Sequence, residues 1–207
     1  MQILKVHPAN PQLRLIGQAA VIVRRGGIVV YPTDSCYALG CQIGDKAAME
    51  RIRRLRNLDI DHEFTLVCRD LSDIATYARV GNREYRFLRA LTPGPYTVIL
   101  PASREVPRRL QNPKRQTIGL RVPDHPIVHM LLEVLGEPLM SVTLIVPGSD
   151  LPLTDPEDMR EILKGQVDVI IDGGNCGYEP TSVVDLTGEL PVIVRQGKGD
   201  LSFLAQA

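Results

Sequence analysis

Apolar residues recur along the chain with the spacings typical of helices and buried strands. Between Gln12 and Arg25 they return every three or four positions and two glycines follow, which predicts a helix. The unbroken apolar run Ile28–Tyr31 comes next and predicts a buried strand. Asp45 is suited to cap a second helix that ends near Arg56, with apolar residues on one side and cations elsewhere.

The rest of the chain alternates between the same two kinds of element. Further helices are predicted at Leu71–Tyr77, Arg83–Leu91, Pro126–Leu135 and from Asp155 onward. Further strands are predicted at Phe64–Cys68, Tyr96–Leu100, Thr117–Val122, Leu139–Val142, Val167–Ile171, Ser182–Leu186 and Val192–Arg195. Because helices and strands alternate but the last two strands follow each other closely, the pattern predicts an α/β fold with a mixed sheet.

Composition favours a single domain without a strongly charged partner. The 207 residues are 44% hydrophobic, enough for one substantial core, and 24 basic residues balance 24 acidic ones. The net charge therefore does not call for nucleic acid or a membrane surface. No apolar run has the length of a membrane span and the N-terminus lacks a signal-peptide pattern, so we expect a cytoplasmic protein.

The cysteines and histidines lack the spacing of a metal site. Reduced thiols are expected for the four cysteines, which form no CxxC pair: Cys36, Cys41, Cys68 and Cys176. His125 and His129 are four residues apart, as ligands on one helical face would be. Pro126 places His125 just before a helix, however, so we expect no metal ligands here.

A polar loop follows the first predicted buried strand. Tyr31-Pro32-Thr33-Asp34-Ser35 combines a turn with hydroxyl and carboxylate groups, and Gly40 closes the segment. Open α/β sheets bind ligands at loops that follow the ends of strands. The loop is therefore predicted to form part of a pocket.

Arginines and hydroxyls are the candidate binding groups, because neither a Walker loop nor a GxGxxG motif is present. The cations from Arg51 to Arg56 have the donor geometry for a phosphate, but most such clusters at a helix end form a solvated face that stabilises the helix dipole. Ser141 and Thr143 would share one side of a strand. Arg121, flanked by apolar residues, either is buried with a partner or points outward. Arg195 ends a strand beside a glycine, where an anion could approach.

Five ordered blocks of the chain together resemble the YrdC/YciO family, and the YciO branch most closely. They are Tyr31–Gly40, Arg54-Leu55-Arg56, Thr117–Pro126, Asp172-Gly173-Gly174 with Ser182–Leu186, and Val194–Gly197. The resemblance covers residues 10–200 and leaves 1–9 and 201–207 as terminal extensions. It implies a single YrdC-like domain: a twisted open mixed sheet flanked by helices, with a positively charged concave groove.

The resemblance also implies an activity. Better-characterised members are nucleotidyltransferases that make L-threonylcarbamoyladenylate from L-threonine, bicarbonate and ATP, releasing pyrophosphate, as a first step toward the t6A modification of transfer RNA. ATP would be a substrate, with Mg²⁺ sharing its phosphate charge, and no tightly bound cofactor is implied. By position, threonine would contact Thr33, Arg121 and Thr181. The ATP site would comprise Arg54, Arg56, Thr117, Ser141, Thr143 and Arg195, with Arg54 and Arg56 as the catalytic pair.

The chain departs from the family's synthases at several positions. Arg54 stands where their K-x-R motif has Lys, and Thr143 stands where S-x-N has Asn. Cys68 replaces a His, and Leu144–Pro147 replaces a Gly-rich and Ser-rich stretch. These departures predict a weak or retuned activity, so the substrate stays open.

The alternative hypothesis is binding of double-stranded RNA or tRNA without efficient synthesis, a property also described for the family. The candidate phosphate contacts are cations of the helix near Arg56 and of the polar, basic connection Ser103–Gln116: Arg51, Arg53, Arg104, Arg108, Arg109, Lys114 and Arg115. This connection is predicted to be a loop, and mobility is one expectation for it. Few aromatic residues argue against recognition of single-stranded bases.

Overall fold

One mixed sheet of ten strands runs through the computed structural model, which describes residues 1–59 and 62–206. Its strands are β1 Gln2–Lys5, β2 Val29–Tyr31, β3 Ala38–Gln42, β4 Thr65–Val67, β5 Tyr96–Pro101, β6 Thr117–Arg121, β7 Leu139–Thr143, β8 Val169–Asp172, β9 Ser182–Asp185 and β10 Val192–Arg195. The order across the sheet is β1-β8-β2-β3-β7-β4-β6-β5-β9-β10. Four neighbouring pairs are parallel and five are antiparallel, which confirms the mixed sheet.

Helices cover both faces of the sheet. They are α1 Leu13–Arg24, α2 Lys46–Arg56, α3 Leu71–Tyr77, α4 Asn82–Leu91, α5 Pro126–Leu135 and α6 Pro156–Ile162. The apolar sides of α1 and α5 share one core cluster with Val29 and Tyr31 of β2. The other four helices contribute to a second, larger cluster, which includes Leu39 and Leu66. The flanked open sheet predicted from sequence is therefore confirmed.

The second helix shows why the sequence pattern located elements well. The Asp45 carboxylate accepts a hydrogen bond from the Ala48 backbone N–H at 2.9 Å, so it caps α2 as predicted. The helix ends at Arg56 because Asn57 adopts the left-handed conformation, with φ of 51°. Four buried residues face the core: Ala48, Met49, Ile52 and Leu55.

Two strands were not predicted from the sequence. β3 lies inside the segment interpreted as the end of a polar loop, and four of its five residues are buried, so it lacks an alternating pattern. β1 lies within the predicted extension 1–9 and pairs in parallel with β8 at the sheet's edge. The predicted extension 201–207 contains a short 3₁₀ helix at Ser202–Gln206, and residue 207 lies outside the described part of the chain.

Candidate functional site

A cleft of about 490 Å³ lies over the centre of the sheet. Ser141, Thr65 and Gly119 occupy paired positions on neighbouring strands β7, β4 and β6, so they lie side by side on its floor. At Gly119 a Cβ atom would lie 3.4 Å from the Thr65 Oγ1 atom. The missing side chain therefore keeps the middle of the floor open.

Arg121 and Asp34 form a buried ion pair beside this floor. Their side chains are only 11% and 10% exposed, and the Arg121 Nη2 group donates a hydrogen bond to the Asp34 carboxylate. The same carboxylate accepts from the Asp124 backbone N–H at 2.9 Å. The second hypothesis for Arg121, an outward-facing charge, is therefore wrong, and the polar loop supplies the partner that burial requires. The Arg121 Nε–H has no hydrogen-bond partner among the described residues.

Thr33 shapes the loop that carries Asp34. Its Oγ1 atom donates to the Cys36 carbonyl at 2.7 Å and accepts from the Ser35 and Cys36 backbone N–H groups at 3.1 and 3.2 Å. Thr33 is 3% exposed and does not line the cleft. Its hydroxyl is thus already engaged within the turn, where it fixes the position of the ion pair.

Thr181 and Arg195 form a second polar group in the cleft. The Thr181 and Thr97 hydroxyls are hydrogen-bonded at 2.9 Å, and the Arg195 guanidinium donates to the Thr181 carbonyl at 3.0 Å and to its hydroxyl at 3.2 Å. Burial lowers the pKa of Arg195, and the positive charge of Arg121 acts in the same direction. Both guanidinium groups line the cleft, where their positive charges favour an anionic ligand.

Arg56 brings a third guanidinium to the cleft from the end of α2. It is half-buried, donates a hydrogen bond to the Ile145 carbonyl, and has no partner for its Nε–H among the described residues. Burial lowers its pKa from the usual value. Because an arginine stays protonated in proteins, a partly desolvated guanidinium with a free donor is well suited to an anionic ligand.

Two hydroxyls line the cleft from β7. The Ser141 Oγ atom is 2.7 Å from the Tyr31 hydroxyl and donates to the Leu39 carbonyl at 3.1 Å. Burial raises the pKa of Tyr31 to about 12, so its hydroxyl stays protonated at neutral pH. The Thr143 hydroxyl has no hydrogen-bond partner in the described part of the chain and is available to a ligand. The predicted shared side of Ser141 and Thr143 is confirmed.

Arg54 and Thr117 do not line the cleft. Arg54 is exposed, and its Nε–H donates to the Glu50 carbonyl of its own helix at 3.4 Å. Residues two apart on a helix point to different sides, so Arg54 and Arg56 diverge. Thr117 is buried at the start of β6, at the opposite end of that strand from Arg121. The structure therefore brings six of the nine predicted residues to the cleft: Arg56, Arg121, Ser141, Thr143, Thr181 and Arg195.

Among the cleft residues that were missed in the sequence, three have side chains suited to ligand contact: Leu151, Tyr178 and His62. Leu151 and Tyr178 line the cleft from separate loops although they are 61% and 62% exposed. His62 also lines it, and burial lowers its pKa, with the charges of Arg56 and Arg53 acting in the same direction. A large side chain in a Gly-rich loop is seldom needed for core packing. The glycines before Tyr178 were therefore the one sequence feature that could have indicated a ligand contact there.

The part of the chain that the structure describes contains neither a metal cluster nor a spanning helix. No group of three or more His, Cys, Asp or Glu side chains is placed to hold a metal ion there. None of its helices has the length and apolar character needed to cross a membrane. The four cysteines are free thiols, and three of them are buried.

Comparison with known proteins identifies the family. The Sua5/YciO/YrdC family model, described as telomere recombination, matches residues 21–197. The chain belongs to this family. YciO of Escherichia coli K12 is 56% identical over 200 residues, which are 97% of each chain, and its crystal structure superposes with a TM-score of 0.93.

More distant members of the Sua5/YciO/YrdC family carry a named activity. The threonylcarbamoyl-AMP synthase of Vibrio vulnificus is 30% identical over 185 residues, covering 87% of this chain and 97% of the synthase. The crystal structure of Pyrococcus abyssi Sua5 complexed with L-threonine superposes with a TM-score of 0.90 at 28% identity. The superposed region covers all of this chain and 60% of the longer Sua5 chain. The chain is thus homologous to threonylcarbamoyl-AMP synthases and shares their fold.

Proposed function

We propose that the protein is a nucleotidyltransferase of the threonylcarbamoyl-AMP synthase type, joining L-threonine, bicarbonate and ATP into threonylcarbamoyl-AMP and pyrophosphate. The observation that carries the proposal is the meeting of three guanidinium groups, from Arg56, Arg121 and Arg195, in one cleft of a chain homologous to such synthases. Three fixed cations suit a reaction whose reactants, transition state and product are all anionic.

Threonine would bind between Arg121 and Thr181. Arg121 would hold the carboxylate of the amino acid, because its guanidinium keeps unpaired donor capacity beside the Asp34 pair. The Thr181 hydroxyl would contact the polar groups of threonine. Direct contact with Thr33 stays a prediction, and in the absence of rearrangement its role is to hold the loop. The structure of Sua5 with L-threonine supports this class of ligand.

ATP would occupy the rest of the cleft. Arg56 and Arg195 would neutralise its phosphates, and Ser141 and Thr143 would hydrogen-bond to the nucleotide. Leu151 and Tyr178 offer an apolar rim on which the adenine could stack. Mg²⁺ would arrive with the phosphates as part of the substrate.

The reaction would proceed by positioning rather than by a protein nucleophile. The threonine amine and bicarbonate would condense to a carbamate with loss of water. The carbamate oxygen would then attack the α-phosphorus of ATP, and the bond to pyrophosphate would break as the new P–O bond forms. The arginines would stabilise charge that accumulates on the departing pyrophosphate.

Several residues of this chain differ from those of the family's synthases. Thr143, one of them, lies in the cleft, and two others do not line it. Arg54 is outside the lining, and Cys68 is fully buried with its thiol 3.9 Å from the Leu66 carbonyl. Ile145, from the replaced stretch, does line the cleft. We therefore propose that Thr143 and the Ile145 segment retune the nucleotide side, and that the threonine side is kept.

Calorimetric binding of ATP and of L-threonine tests the proposal. Arg56→Gln should weaken ATP binding about tenfold or more, since a charged hydrogen bond is worth roughly 1.5–3 kcal/mol. Arg14→Gln is the matched control, because Arg14 is exposed on α1 and does not line the cleft. Absence of ATP binding by the unmodified protein, with and without threonine, would contradict the proposed function.

The RNA-binding alternative stays a prediction, and the described contacts weaken its list of cations. Arg51 pairs with Asp168 at 2.9 Å and Arg115 pairs with Asp185 at 2.6 Å. Arg53 pairs with Glu50 at 2.8 Å and lies over the Phe64 ring. The Arg109 side chain lies outside what the structure describes. These three ion-paired cations would have to exchange partners before binding phosphates. Arg104, Arg108 and Lys114 belong to no ion pair among the described residues, so the alternative rests on fewer cations than the sequence suggested and ranks below the synthase.

A further inference from the structure

A second cavity, of about 750 Å³, lies at the far ends of β5 and β6. Its wall includes Ala102, just after β5, and Gln116, just before β6. It shares no lining residue with the candidate functional site. A ligand could therefore occupy it independently of the cleft.

The lining of this second cavity is basic. Arg79, Arg104 and Arg108 all contribute, all three are exposed, and no Asp or Glu lines the cavity. None of the three belongs to an ion pair within the described residues. The Glu63 carboxylate reaches this wall by accepting a hydrogen bond from the Asn112 side-chain amide. Three guanidinium groups against one such carboxylate still leave a local positive charge, although the whole chain has no net charge.

The backbone that forms the cavity wall is hydrogen-bonded within itself. The Asn112 side-chain oxygen accepts from the backbone N–H groups of Lys114 and Arg115 at 3.0 and 2.8 Å. The Gln116 N–H donates to the Asn112 carbonyl at 2.8 Å, and the Gln116 carbonyl accepts from Ala102 at 2.9 Å. The segment interpreted from sequence as a connecting loop therefore has a defined shape that does not depend on a ligand.

Two buried residues and one short helical turn hold the same wall from below. Val106 and Leu110 are 1% and 5% exposed, and the Gln111 side-chain amide donates to the Val106 carbonyl at 2.8 Å. Arg108–Leu110 forms a 3₁₀ turn that ends at the buried Leu110. The arginines are thus carried on an ordered frame, which reduces the entropy lost when an anion binds.

We propose that this cavity is a second anion site, separate from the cleft, that takes a multiply charged phosphate group. Guanidinium groups bind phosphate oxygens bidentately, and the side-chain amide of Gln116 adds a hydrogen-bonding group to the wall. The phosphate could belong to a free polyphosphate or to the backbone of an RNA duplex. The proposal does not depend on the proposed synthase activity.

The test is a titration of the isotopically labelled full chain with inorganic tripolyphosphate, followed by NMR of the backbone amides. We expect saturable shifts at the amides of Ser103, Asn112 and Gln116. The combined variant Arg79→Gln, Arg104→Gln, Arg108→Gln should bind at least about tenfold more weakly at these amides. The matched control Arg14→Gln, Arg25→Gln, Arg160→Gln removes the same charge from exposed positions outside the cavity and should change the affinity less than about twofold.

A short RNA duplex in a second titration distinguishes the two sources. Tighter binding of the duplex at the same amides, with a steeper salt dependence, would assign the site to a polymer backbone, and binding of tripolyphosphate alone would assign it to a free anion. Absence of shifts at these amides with both probes would overturn the proposal. Equal losses in the two combined variants would also overturn it, because binding would then follow the net charge. Unchanged amide spectra before titration would show that both variants are folded.

Discussion

Arg121 and Asp34 connect the sheet to the polar loop through one buried ion pair. Arg121 is placed by β6, and Asp34 is placed by the turn in which the Thr33 hydroxyl is engaged. The sequence predicted that a buried Arg121 would need a partner, but it could not show which acidic residue would meet it. That contact joins residues 87 positions apart and depends on the sheet order.

Removing the Asp34 charge should lower the stability of the fold. Asp34→Asn leaves Arg121 buried with a neutral partner, so the free energy of unfolding should fall by about 3 kcal/mol in urea titrations. The control Asp124→Asn changes an exposed carboxylate in the adjacent segment and should alter stability by less than about 0.5 kcal/mol. Equal effects of the two variants would show that the ion pair does not stabilise the fold.

Cys41 gives a prediction about pH. Burial raises the pKa of its thiol from 9.0 to about 12, with the charge of Asp45 acting in the same direction. Between pH 9 and 12 the unfolded chain loses this proton while the folded protein keeps it. The contribution of the buried thiol to the free energy of unfolding is therefore fully present below pH 9 and is lost as the pH rises toward 12. Above pH 9, Cys41→Ala should make the free energy of unfolding fall less steeply, by up to about 1.4 kcal/mol per pH unit. Urea unfolding under reducing conditions measures this slope. An unchanged pH dependence would contradict this role.

At the scale of elements, helices were easier to predict than the strands that form the site. α2, α3 and α5 begin or end where caps, prolines and apolar spacing indicate. β3 was missed because burial on both faces removes the alternation on which strand prediction depends. β10 was predicted as a strand, yet Val192, Ile193 and Val194 are exposed at the sheet's edge, because an apolar run alone does not distinguish an edge from a core strand.

The α2 cap offers a prediction at this scale. Asp45→Ala removes the acceptor for the Ala48 N–H and should lower the free energy of unfolding by about 1 kcal/mol. Because Arg56 lies at the opposite end of α2 from the cap, ATP binding should change little. Glu133→Ala, an exposed acidic residue on α5, is the control and should leave both quantities nearly unchanged. Equal stability of all three proteins would show that the cap is dispensable.

At the scale of the whole molecule, sheet order explains how the site forms from distant segments. β7 lies between β3 and β4, and β5 lies between β6 and β9, so residues from opposite halves of the chain meet over one floor. Family motifs marked most of these residues in the sequence. They could not separate Arg56, which enters the cleft, from Arg54, which points to solvent, because that difference depends on the rotation of α2 against the sheet.

The most direct test of the account is product analysis of the purified protein with ATP, L-threonine and bicarbonate, following threonylcarbamoyl-AMP by mass spectrometry and pyrophosphate by a coupled assay. We predict that both products form together, that omitting threonine or bicarbonate abolishes them, and that Thr181→Val reduces them several-fold, whereas Thr76→Val, which changes an exposed helix hydroxyl, does not. Absence of threonylcarbamoyl-AMP with all three substrates present, or pyrophosphate release that does not depend on threonine, would contradict the account.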